Sequence, residues 1–218
     1  MKIFRNLNEL LFPDRCVSCG VLGISICSEC RRKWNLHRYR SFIGKSKTDL
    51  IQVTSSVPYS AIAQRILLSA KESHIKRADQ LVSEAIRHST INVLRDDWID
   101  LLVPIPSRPR AVRERGRQFI YEVTEPISQE LNIPSAPILR HSRSVRDQSG
   151  LHLEERWNNL KGAFVVDAKQ ISGKRALLVD DLVTTGATLY EAAGALRYAG
   201  IEVIGAVTAA VALAPKIE

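Results

Sequence analysis

At 218 residues the chain has room for one full α/β domain and a small appendage, since length over about 150 sets the prior on domain count. Its 45% hydrophobic and 25% charged residues are ordinary for a soluble globular protein, and the absence of any apolar run near ~20 residues excludes a membrane-spanning helix. The net charge of +8 is concentrated at the start, where residues 1–50 carry ten Lys or Arg against four Asp or Glu; such a face suits a phosphate-rich partner, nucleic acid included, or simply keeps the protein in solution.

Residues 1–12 place Ile3, Phe4, Leu7, Leu10 and Leu11 around Arg5 and Glu9. This interrupted pattern reads as a short amphipathic helix and lacks the continuous core of a signal peptide, so a cytoplasmic protein is expected.

All four cysteines follow within one short stretch, Cys16-Val-Ser-Cys19-Gly20 and Cys27-Ser-Glu-Cys30. Two residues between paired cysteines let both sulfurs face one site across a tight turn, and Gly20 supplies the backbone freedom of such a knuckle. Two knuckles complete a tetrahedral four-sulfur site, for which structural Zn2+ is the default metal and an iron–sulfur cluster the chief rival. Disulfides, or a redox-active pair, compete with a metal, but disulfides need an oxidising compartment and a redox motif needs no second copy. Metal binding would supply most of the folding free energy of so short a ribbon. Arg31, Arg32, Lys33, Arg38 and Arg40 come directly after it and offer basic side chains to a partner.

Residues 41–50 show no period and read as a linker, so an N-terminal helix and ribbon are expected over 1–45 and a second domain over 50–218. Ile51 to Val57 suggests a strand. Tyr59 to Lys71 and Arg77 to Leu94 suggest helices, the second with Leu81, Val82, Ala85 and Ile86 on one face. Leu101-Leu-Val-Pro-Ile-Pro106 reads as a buried strand that stops abruptly, followed by an arginine-dense loop or helix start over 107–116. Phe119, Val123, Ile127 and Leu131 form a helical stripe; Pro126 either kinks that helix or sits in the first turn of a later one capped by Thr124. Ala136 to Leu139 is a short strand candidate. A polar excursion over 140–159 precedes strand character at Ala163 to Val166. Arg175 to Val179 is a third buried strand, Ala187 to Ala199 a helix stopped by Gly200, and Glu202 to Ala210 a last strand. Alternating strands and helices of these lengths imply an α/β fold with a mostly parallel sheet, whose ligands sit at the carboxyl ends of the strands.

At that end of the third strand stands Val179-Asp-Asp-Leu-Val-Thr-Thr-Gly-Ala-Thr188. Adjacent carboxylates repel each other unless something donates to them, and vicinal sugar hydroxyls are suitable donors. The run Thr184, Thr185, Gly186, Ala187 and Thr188 brings hydroxyls and backbone N–H groups to a helix N-terminus, where phosphate binds. Sugar hydroxyls beside phosphate indicate a pentose phosphate. Neither a P-loop nor a dinucleotide-binding glycine motif is present.

This segment resembles the phosphoribosyl pyrophosphate (PRPP) signature of type I phosphoribosyltransferases. Over nearly the whole chain the sequence is similar to the ComF family of competence-associated phosphoribosyltransferase-like proteins, through Cys16, Cys19, Cys27 and Cys30, Val103-Pro-Ile-Pro106, Arg115-Gly116, and Gln148, Glu155-Arg156, Asn159 and Gly162-Ala-Phe164. The resemblance implies a type I phosphoribosyltransferase-like sheet flanked by helices behind a small zinc ribbon. It implies Asp180 and Asp181 on the ribose hydroxyls, and Val183, Thr184, Thr185, Gly186, Ala187 and Thr188 around the 5-phosphate. Ser107 and Arg108 would form the pyrophosphate loop with Mg2+, and Arg140, Arg143 and Arg146 would serve as a lid or a solvated basic loop. Lys71 lies roughly where the family places a lysine. Where many members read Arg-Gly-Phe-Asn-Gln, this chain has Arg115-Gly-Arg-Gln-Phe119. Three readings follow: phosphoribosyl transfer to an acceptor, with support of DNA uptake in natural transformation; a non-catalytic component of uptake that binds PRPP or single-stranded DNA, or docks a helicase-like competence protein; or nucleobase salvage.

Overall fold

The computed structural model describes residues 14–142, 160–167 and 174–212. Met1 to Phe12, Arg143, Arg146, Gln148, Glu155, Arg156 and Asn159 lie outside the described residues.

The most apolar runs form the middle of the main sheet. Here β1 (Tyr39–Ile43), β2 (Ile51–Pro58), β7 (Glu202–Val211), β6 (Arg175–Val183) and β3 (Leu101–Pro104) lie side by side in that order. β1 is antiparallel to β2, and the other neighbours are parallel. Parallel strands buried on both faces are mostly apolar, as Ala176 to Val179 are throughout and Ala206 to Val211 are apart from Thr208. Two of the hydroxyls that β2 brings into the core are satisfied in pairs, Ser55 with Thr208 at 2.7 Å and Ser56 with Ser89 at 2.7 Å, while Thr54 Oγ1 is buried with no hydrogen-bond partner among the described residues.

One face of the sheet is covered by α2 (Ala61–Ser73), α3 (Lys76–Leu94) and α5 (Phe119–Leu131), and the other by α6 (Ala187–Tyr198). α3 buries Leu81, Val82, Ala85 and Ile86, the stripe legible in its sequence. α5 runs unbroken through Pro126, and Thr124 is no cap. The Thr124 hydroxyl instead donates to the Ile120 carbonyl. The packing of Phe119, Val123 and Ile127 outweighs the one backbone bond that proline forfeits.

The structure corrects three other expectations. Residues 41–50 are only partly a linker: Tyr39–Ile43 is the edge strand of the main sheet, so the sheet begins ahead of the boundary expected at 45–50. The strand expected at 136–139 starts at Leu139, because Pro137 has no N–H for a ladder. It forms β4 (Leu139–His141), which pairs antiparallel only with β5 (Phe164–Val166), as a small sheet of its own. β6 continues to Val183, so Asp180 and Asp181 lie inside the strand, opposite Thr208 and near Ala210 of β7.

The ribbon, closed by the Arg15–Leu22 bridge and the short helix α1 (Ser28–Lys33), does not stand alone. Its Ile26, Cys30 and Trp34 belong to the same core as α2 and α3. Arg65 of α2 donates to the Ser18 carbonyl, and Arg31 pairs with Glu84 of α3 at 2.8 Å.

Candidate functional site

Asp180 and Asp181 alternate across the last turns of β6. The Asp181 carboxylate is buried, and the ammonium of Lys71, brought up by the last turn of α2, lies 2.6 Å from its Oδ2. Burial opposes the charge of Asp181, but the Lys71 charge and hydrogen bond outweigh it and hold this carboxyl below its ordinary range. Asp180 is pushed well above that range by its own burial and by the Asp181 charge, with Lys71 only partly compensating. Burial disfavours the charge on Lys71 too, yet the two carboxylates keep its ammonium more firmly protonated than usual. One cation thus serves two acids. Asp180 has its Oδ1 on the Asp181 N–H at 2.9 Å and, among the described residues, no cation of its own at ion-pair distance, which suits it to accept from ligand hydroxyls.

Beyond β6 the chain turns sharply into α6. Thr185 Oγ1 accepts the Ala187 N–H at 3.3 Å, and Gly186 adopts φ +77°, in the left-handed region. A Cβ at Gly186 would stand 2.3 Å from Ile43 Cγ2 of β1. Glycine is required twice there, by the backbone and by the space. Gly186→Ala is expected to cost about 3 kcal/mol, strain and crowding together. Urea unfolding measures it, and Ile43→Ala in the same chain should restore the crowding part.

The cleft in front of this turn has a volume of about 550 Å³. It is lined by Asp180, Asp181, Thr184 and Thr188 from the end of β6 and the start of α6, by Ser107, Arg108 and Arg115, and by Lys71. Ser107 and Arg108 lead into α4 (Pro109–Arg115), a short helix begun by proline. Arg115 is paired with Glu72 of α2. Val183 and Ala187 are buried behind the turn and shape it without facing the cleft. Arg140, one residue before the cleft-lining His141, lies on the opposite face of β4 and pairs with Asp167 at 3.1 Å.

Tyr59, Gln64 and His141, which no motif had singled out, also line the cleft, as does Phe164 of the Gly162-Ala-Phe164 stretch. Tyr59 and Gln64 stand at the start of α2, and His141 faces Phe164 across the β4–β5 ladder. A period-2 reading of both short strands would have found the last two, had their pairing been known.

At the other end of the chain the sulfurs of Cys16, Cys19, Cys27 and Cys30 all lie within 4.8 Å of one another. Metal–thiolate bonds of about 2.3 Å in a tetrahedron would set them about 3.8 Å apart. The Cys19 and Cys27 sulfurs are 3.6 Å apart, too far for a disulfide. The Cys27 N–H points at Cys16 Sγ and the Cys30 N–H at Cys27 Sγ, both at 3.4 Å, as suits thiolates. These four residues fit a metal ion.

The basic stretch after the ribbon is largely engaged within the protein. Arg31 pairs with Glu84 and Lys33 with Glu29, while Arg38 and Arg40 share Asp96.

Residues 117–217 match the phosphoribosyl transferase domain family. Competence protein F of Haemophilus influenzae is 32% identical over 108 residues, 48% of this chain and 47% of that protein, so the match spans about half the length of that relative. Adenine phosphoribosyltransferase of Nitrosospira multiformis is 28% identical over 142 residues, 61% of this chain and 79% of that protein. Among solved structures, adenine phosphoribosyltransferase from Saccharomyces cerevisiae aligns with 84% of this chain and 89% of its own at 14% identity and a TM-score of 0.45. The matched domain, just under half of the chain, and the mostly parallel sheet flanked by helices indicate a type I phosphoribosyltransferase-like fold. With its N-terminal four-cysteine cluster and its likeness to Competence protein F, the chain fits a ComF-like type I phosphoribosyltransferase. Among the described residues no helix is long and apolar enough to cross a membrane.

Proposed function

We propose that the cleft binds PRPP with Mg2+ and transfers its phosphoribosyl group to an acceptor nucleophile. The observation that carries this reading is the convergence of an acidic pair, a threonine–glycine turn and the Ser107–Arg108 loop on one cleft. Asp180 and Asp181 would accept from the ribose hydroxyls, and the turn from Thr184 to Thr188 would receive the 5-phosphate at the N-terminus of α6. C1 of the ribose is thereby placed toward the Ser107–Arg108 side. There the acceptor forms its bond to C1 as the bond to pyrophosphate breaks, and the departing oxygens meet Arg108 and the Ser107 side of the loop. Mg2+ brought with PRPP supplies charge neutralisation of the leaving group. The test is release of pyrophosphate from PRPP–Mg2+ in the presence of pooled nucleobases and amines. Release above the acceptor-free rate supports transfer, and binding without release supports a non-catalytic PRPP-binding component.

The ribbon is read as a structural zinc site, because a fully cysteine shell leaves no open position for chemistry and the compact spacing of its sulfurs suits a single ion.

A role in DNA uptake draws on the relative's name, Competence protein F. One feature of the ribbon favours a protein partner over single-stranded DNA: Val21, Leu22 and Ile24 are about half exposed on the turn between the knuckles. A helicase-like competence protein is the partner that this reading assigns to them. Neutralising Arg31, Arg32 and Lys33 together separates the two, since binding to a single-stranded oligonucleotide would lose affinity and salt dependence only if the ribbon holds DNA.

A further inference from the structure

His141 stands in the cleft, yet the transfer chemistry gives it no task. It ends β4, and its Nε2 lies 3.2 Å from the carbonyl oxygen of Pro106. A carbonyl only accepts, so Nε2 carries the proton and donates it. Phe164, directly opposite in the ladder, holds the ring from the side, with ring centroids 4.9 Å apart. Among the described residues Nδ1 is buried without a hydrogen-bond partner, and the bond to Pro106 holds the imidazole there. Burial lowers the proton affinity of the ring, the Pro106 bond opposes this, and the charge of Arg108 adds to it; the net direction keeps the ring neutral.

The other end of the same peptide unit is held as well. The Ser107 N–H donates to Gln118 Oε1 at 3.1 Å. Pro106 C=O and Ser107 N–H belong to one planar group, so its two poles are gripped by side chains from separate elements, His141 on β4 and Gln118 at the start of α5. Just before it, the Ile105 N–H donates to the Val179 carbonyl at 2.9 Å, which ties the approach of the loop to β6. Rotating the Pro106–Ser107 plane would break both side-chain bonds at once. Gln118 lies within the stretch, residues 117–119, where this chain departs from the Arg-Gly-Phe-Asn-Gln pattern.

We propose that His141 and Gln118 are positioning residues that clamp the Pro106–Ser107 peptide and so set how Ser107 and Arg108 meet the pyrophosphate group of the ligand. This rests on the phosphoribosyl reading of the cleft. It predicts a split between the two ends of PRPP, because the clamp touches the pyrophosphate side and leaves the threonine turn alone.

The experiment is calorimetric titration of the full-length protein with pyrophosphate–Mg2+ and, separately, with ribose 5-phosphate. His141→Ala is expected to weaken pyrophosphate at least tenfold while ribose 5-phosphate stays within twofold. His141→Gln, whose amide keeps a donor near the Nε2 position, should recover most of the loss. Gln118→Ala carries the same prediction through the opposite pole, and it decides the matter should His141→Ala fail to fold. Unchanged pyrophosphate affinity in the alanine variants, or an equal loss of both ligands, overturns the clamp. A wild type that binds neither ligand overturns the phosphoribosyl reading, and the clamp with it.

Discussion

Asp180→Asn is expected to make the unliganded protein more stable and to remove its affinity for PRPP. Asp180 is pushed well above the ordinary carboxylate range by burial and by the neighbouring Asp181 charge, so the folded state binds its proton more tightly than the unfolded chain does. Its contribution therefore lowers stability as pH rises from the unfolded value of about 3.9 toward the folded value. Asp181 acts in the opposite sense and in a separate window. Lys71 holds its carboxyl low against burial, so its stabilising effect is present above about 3.9 and is lost as pH falls through the folded value. Asparagine at 180 removes the first effect and leaves the second. At neutral pH the variant should melt higher than the wild type, and the decline in stability above about pH 4 should flatten. PRPP affinity should fall at least a hundredfold, about 3 kcal/mol, because the amide cannot replace a charged acceptor of hydroxyl donors. Thermal melts across pH check the stability, and calorimetry checks the affinity. A variant less stable than wild type at pH 7 would contradict the electrostatic account of the pair.

On the reading of the ribbon as a structural zinc site, removing the metal is expected to unfold more than the ribbon. The apparent binding free energy of a structural zinc, about 10–16 kcal/mol in short peptides, is on the scale of the whole stability of a domain. Here the ribbon shares its core with α2 and α3 through Ile26, Cys30 and Trp34. Loss of the metal should expose Trp34, which is 3% accessible, and uncover the adjoining faces of those helices. A chelator, or Cys30→Ser, should therefore lower Tm by more than about 10 °C and shift tryptophan emission to the red. The emission shift should be much reduced in Trp34→Phe. PRPP affinity should weaken as well, because the helix that holds the Ser18 carbonyl through Arg65 also carries Lys71 to Asp181. An unchanged melt in excess chelator would show that apolar packing alone holds the ribbon.

The acidic pair, the threonine turn and the four cysteines were legible because each is a contiguous run whose chemistry needs no distant residue. The end of β6 was misjudged because Asp180 and Asp181 interrupt the apolar pattern, while their backbone remains in the ladder with β7. Sequence periodicity sees side chains, and the strand is defined by main-chain pairing. The edge strand β1 was hidden for a related reason: its exposure alternates, with Phe42 facing outward, so it lacks the apolar signature of a central strand. Gln118 and His141 were invisible because their meaning lies in contacts with a peptide 11 and 35 residues away. The pairing of Arg31, Arg38 and Arg40 with acids more than 50 residues distant likewise could not be read from a count of charges.

Calorimetric titration of PRPP–Mg2+ into wild type and into the double variant Asp180→Asn with Asp181→Asn decides whether the acidic pair holds the sugar. One site per chain is expected in the wild type and no measurable heat in the variant, with both proteins folded by their melts. Binding of equal strength in both, or none in the wild type, would contradict it.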